Sequence, residues 1–128
     1  MFFKELKCSV YGSRVLVFAD CTQEEALNRV KKEFGERIEP GDDACGISAW
    51  FSAKKRRGSN RQGRYYVIWI GDKKNISILV HEILHLVMNI MRDKEVKIDV
   101  DNQEPFCYYV DHWIDRILKA LKGGKKHG

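Results

Sequence analysis

The sequence predicts an α+β domain with helices packed on one sheet, and three observations carry that prediction. Short runs rich in Val, Phe, Ile and Tyr recur at Phe3–Val10, Arg14–Ala19, Ile47–Ala53 and Tyr65–Ile70. Three segments with helical apolar spacing stand apart from them, after Thr22, after Asn75 and after Asn102. With 128 residues, 44% of them apolar, the chain is long enough for one core and too short for two domains of ordinary size.

The first two runs flank Gly12-Ser13 and read as a β-hairpin. Thr22-Gln23-Glu24-Glu25 has the form of a capping box, with the Thr22 hydroxyl and the Glu25 carboxylate each accepting from a free amide. Ala26, Leu27, Val30 and Phe34 then recur at helical spacing until Gly35 stops the helix. Residues 36–46, with Pro40-Gly41-Asp42-Asp43, form a loop. Ile47, Ala49 and Phe51 alternate along a two-faced strand, whereas Tyr65–Ile70 is apolar on both faces. Asp72 or Asn75 caps a helix over 75–92. A polar link leads to a last helix over 103–122, with Pro105 in its first turn where a missing amide hydrogen costs little. The expected order is ββ-α-ββ-α-α, with a single domain over 1–122 and a flexible basic tail over 123–128.

The net charge is +5, but its placement is uneven. Lys54, Lys55, Arg56, Arg57, Arg61 and Arg64 lie in one stretch without an acid, which leaves the rest of the chain at −1. A protein coated in positive charge is therefore excluded. A solvated loop is the plain reading of such a run; phosphate contact with nucleic acid, or attraction of an acidic protein, is the functional one. No aromatic residue interrupts residues 54–64, so base stacking is not indicated within it.

Cys8, Cys21, Cys45 and Cys107 contain no CxxC pair, which argues against a zinc ribbon or a thioredoxin-type motif and for reduced thiols inside a cell. Met1-Phe2-Phe3-Lys4-Glu5 has no secretory pattern. The most apolar run, residues 76–91, is too short and too polar to span a bilayer. These features predict a cytoplasmic protein without a membrane partner.

Chemistry concentrates in His81-Glu82-Ile83-Leu84-His85, an HExxH motif. Histidines four apart project from one side of a helix, about 40° apart, and both imidazoles can reach one Zn²⁺. Glu82 lies beside them as general base. The rest of 76–91 is Ile, Leu, Val and Met in every direction but one, and that sector holds His81, Glu82, His85 and Asn89. The expected helix is therefore buried, with one polar stripe. Histidines satisfied in the core are the plain alternative, but two imidazoles and a carboxylate cost several kcal/mol to bury without strong partners, and a metal removes that cost. The third ligand is sought downstream among Glu104, Asp111 and His112, with Cys107 a poorer choice. Glu104 is favoured by its place in the first turn of the last helix, and Asp111 is a candidate to orient a ligand histidine. Tyr108 and Tyr109 are candidate donors to an oxyanion.

HExxH on an apolar helix, a preceding β-hairpin, and Glu104 in a following Glu-Pro-Phe-Cys-Tyr-Tyr helix resemble the small single-domain zincins of the gluzincin type, in particular those encoded by phages and prophages. The resemblance covers roughly residues 65–121 and is strong at 81–85. It implies a zincin-like fold, a Zn²⁺ cofactor and a peptide or protein substrate. His81, His85 and Glu104 would be the ligands and Glu82 the general base. Thermolysin-like enzymes have Asp four residues after the ligand Glu, where this chain has Tyr108. The expected function is zinc-dependent peptide hydrolysis in a bacterial host cytoplasm. The alternative is a nucleic-acid-binding accessory protein that uses residues 54–64 and carries a structural or inactive metal site.

Overall fold

The computed structural model describes residues 1–8, 10–41, 45–54 and 62–123. Seven elements follow one another: β1 (Phe2–Lys7), β2 (Arg14–Ala19), α1 (Gln23–Phe34), β3 (Gly46–Lys54), β4 (Gln62–Ile70), α2 (Ile76–Asp93) and α3 (Gln103–Gly123). The molecule is an α+β protein with one mixed sheet of order β1-β2-β4-β3. β1 and β2 pair antiparallel, as do β3 and β4, and β2 joins β4 in parallel with Leu16 opposite Val67.

Local chemistry accounts for the element ends. The Thr22 side chain accepts from the Glu25 amide at 3.1 Å while Glu25 accepts from the Thr22 amide at 3.0 Å. That reciprocal pair also holds the Glu25 carboxyl below its usual range. Gly35 ends α1 at φ 72°, a left-handed conformation that side chains avoid. Asn75 caps α2 by accepting from the Ile78 amide at 3.2 Å. β1 stops at Lys7, and the Cys8 amide donates to the Ser13 carbonyl across the turn.

The two central strands, β2 and β4, are covered on both sides, which explains their unbroken apolar runs. On one side, α1 packs Ala26, Leu27 and Val30 against Phe18, Phe51 and Tyr65. On the other, α2 and α3 pack Leu79, Ile83, Trp113 and Ile117 against Val15, Val17 and Ile68. Along β3, Ile47, Phe51 and Ala53 face the α1 side, so Gly46, Ser48, Trp50 and Ser52 face the α2 side. β3 is an edge strand. No helix among the described residues is long and apolar enough to cross a membrane. No disulfide joins any of the four cysteines. Of the predicted basic tail, residues 124–128 lie outside the described residues.

Candidate functional site

α2 is not buried all round. Leu79, Ile83, Leu86, Val87 and Ile90 are fully buried, but Ser77, His81, His85, Met88 and Arg92 form an exposed stripe on the opposite face. The sheet covers one flank of α2 and α3 another, and among the described residues no third layer closes over the top. The sequence pattern misled because Val80 and Leu84 are half-buried at the margins and Ile76 and Met88 are exposed.

His81 and His85 stand side by side on that stripe, with ring centroids 4.9 Å apart and planes at 73°. Glu82 lies about 100° round the helix from His81, on the flank and not on the stripe, and is 4% exposed, the one charged side chain buried among the described residues. It lies in the seam between α2 and edge strand β3. A Cβ placed on Gly46 would meet Glu82 Oε2 at 3.1 Å and Ile78 Cγ2 at 2.7 Å, so the seam is this close only because residue 46 has no side chain.

The spacing of the two imidazoles is compatible with a shared divalent metal. Two imidazoles each about 2.0–2.1 Å from a shared zinc at a tetrahedral angle have ring centroids about 5 Å apart. The observed 4.9 Å is compatible with that spacing, which a helix gives to side chains four residues apart. Among the described residues, no group of three or more His, Cys, Asp and Glu side chains gathers closely enough to hold a metal ion.

Glu104 is not brought to the histidines. Leu118, Leu121 and Lys122 share a hollow with Lys73, Lys74 and Ile76, so α3 runs back along α2. At 1.5 Å per residue, Glu104 lies about 20 Å from Leu118, whereas His81 and His85 lie about 8 and 14 Å from Ile76. Glu104 is exposed, and the next residue, Pro105, lines a hollow together with Val10 and Tyr11 of the β1–β2 turn. Its place in a first turn satisfies the helix dipole without a metal. Asp111, also exposed, stands about 10 Å from Leu118, at the level of the two histidines.

Tyr108 and Tyr109 face the β1–β2 turn. Tyr108 is 69% exposed and shares a hollow with Tyr11 and His112. Tyr109 is buried, and its hydroxyl donates to Ser13 Oγ at 3.2 Å. Burial is the main cause that pushes its phenol up to about 12. His112 stacks on Tyr109, with its Nε2 3.3 Å from the Cys8 sulfur. Burial first, then the Arg116 guanidinium, lower its pKa. These contacts tie α3 to the end of β1, away from the HExxH stripe. Sequence spacing could not reveal the Cys8–His112 pair, which spans 104 positions.

Of the basic stretch, Lys55, Arg56, Arg57 and Arg61 lie outside the described residues, and for Lys54 only the backbone is described. Arg64 is held by Asp93 at 2.9 Å and donates to Ser52 Oγ at 3.3 Å. Asp93 also accepts from the Tyr66 hydroxyl at 2.5 Å. Burial pushes the Asp93 carboxyl up, but Tyr66 and Arg64 outweigh it and hold the group below its usual range. Burial and the bond to Asp93 push the Tyr66 phenol up.

No protein-family model, curated protein or solved structure matches this chain.

Proposed function

We propose that the chain is a zinc-dependent peptidase with a zincin-like arrangement, in which His81 and His85 hold the metal. The observation that carries this reading is the pair of exposed imidazoles 4.9 Å apart, one helical turn from each other, with Glu82 anchored between them in sequence. Zinc held there would supply Lewis acidity to a substrate carbonyl and to a water. By its position in the HExxH motif, Glu82 would take a proton from that water and return it to the leaving amine, which requires its carboxylate to turn out of the seam toward the histidines. Its seat against Gly46 puts the carboxylate beside β3, whose outer edge pairs with no other strand among the described residues and suits an extended peptide. For the third ligand, Asp111 stands at the level of the histidines and is favoured, whereas Glu104 is carried beyond them and is the weaker choice.

The test is zinc content after loading and dialysis, read beside cleavage of a peptide library. About one zinc per chain is expected in the wild type and in Glu82→Gln, with cleavage lost only in the latter. His85→Ala should lose the metal. Glu104→Ala and Asp111→Ala assign the third position by which one releases zinc. A wild-type chain that stays metal-free after loading overturns the proposal.

A further inference from the structure

Sequence alone places no aromatic residue inside the basic stretch, but pairing across the hairpin supplies one beside it. Trp69 and Trp113 are 2% and 0% exposed, whereas Trp50 is 44% exposed. Trp50 lies opposite Tyr66 and Ser52 opposite Arg64, which makes Arg64 the diagonal neighbour of Trp50 on the α2 side. The Arg64 guanidinium sits 4.1 Å from the centre of the Trp50 ring system. Arg92, from the last turn of α2, reaches the same ring at 5.7 Å.

The two arginines are held differently. Arg64 is fixed by Asp93 and Ser52. Arg92 is 58% exposed and has an ion pair with Asp93 at 3.5 Å, so most of its five N–H donors are open to a ligand. Asp93 is the carboxylate shared by this cluster, and Tyr66 also binds it, so the face keeps a positive excess around an exposed indole.

We propose that this face of the β3–β4 hairpin binds single-stranded nucleic acid, with a base stacked on the side of the Trp50 indole that Arg64 leaves open and neighbouring phosphates on Arg92 and Arg64. Charge alone would suit an acidic peptide equally well. The exposed indole favours nucleic acid, because carboxylates gain nothing from a π-face while any unpaired base does. A duplex hides the base faces that such a platform would use. The residues differ from those of the metal proposal, and the inference does not rest on it. Trp50 is four residues along β3 from Gly46, about 13 Å from the Glu82 seam.

The experiment titrates the full chain, in EDTA, into a labelled twelve-nucleotide oligothymidylate and follows anisotropy. Saturable binding is expected at low salt and should weaken steeply as salt rises. Trp50→Leu should bind roughly tenfold more weakly, while Trp50→Phe keeps most of the affinity. Arg92→Gln should weaken binding and lower the salt slope by about one. Tryptophan emission should be quenched on saturation in the wild type and not in Trp50→Phe. That readout decides the matter even if Trp50→Leu folds poorly. Absence of binding at low salt, unquenched emission at saturation, or competition by polyglutamate equal to that of unlabelled oligothymidylate would each overturn the inference.

Discussion

Replacing Gly46 with Ala is the sharpest probe of the seam between α2 and β3. The added methyl would sit 2.7 Å from Ile78 Cγ2, closer than carbon atoms approach, and 3.1–3.2 Å from the Glu82 side chain. Ile78 is β-branched on a helix and has one strongly preferred χ1 rotamer, so it has little freedom to swing aside. Glu82 is buried and similarly confined. Overpacking of this kind costs about 1–3 kcal/mol, which for a chain of this size lowers Tm by roughly 3–15 °C. Thermal melting and urea unfolding measure it directly. Gly71→Ala is the control, because its methyl would meet nothing nearer than 3.6 Å and should leave stability within about 0.5 kcal/mol. The clash is pairwise, so Gly46→Ala with Ile78→Ala should lose less than the sum of the single changes. An unchanged Tm in Gly46→Ala, or strict additivity with Ile78→Ala, would refute the claim that a missing side chain sets the height of α2 over β3.

Two further outcomes follow from other parts of the molecule. Asp93→Asn should destabilise by about 1 kcal/mol at neutral pH, because it weakens the bonds from Arg64 and Tyr66. Since the folded-state carboxyl is held below its usual value, this contribution is present above the unfolded pKa near 4 and fades as pH falls through the lower folded value. The gap between wild type and variant in urea unfolding should therefore shrink from pH 6 to pH 3, and a constant gap would sink the assignment. In thiol labelling, Cys45 and Cys107 are exposed and should react within minutes, while buried Cys8 reacts only on unfolding. Equal rates at Cys8 and Cys107, read by mass spectrometry, would contradict its burial beneath His112.

Much of the fold is written in short-range chemistry. The Thr22–Glu25 capping box, the Gly35 stop and the Asn75 cap depend on residues within four positions of each other, so a linear reading finds them. Strand periodicity likewise separates two-faced β3 from β4, which is apolar on both sides because helices cover both. The HExxH motif is equally local, since a helical turn alone brings His81 and His85 together.

What the sequence determined by itself is therefore the α+β class, the ends of the helices, and a histidine pair with a carboxylate beside it. Tertiary structure decided what surrounds each of them. It put the histidines on an open stripe and Glu82 in a closed seam, because α2 has neighbours on its flanks and, among the described residues, none above. It took Glu104 away from the histidines, because α3 runs back along α2 and carries its first turn to the β1–β2 hairpin. It joined Cys8 to His112 and set Trp50 beside Arg64 and Arg92, contacts made by strand register and helix packing across long stretches of chain. Hydropathy records how apolar a residue is, whereas burial depends on which elements happen to cover it, and that is a property of the assembled layers.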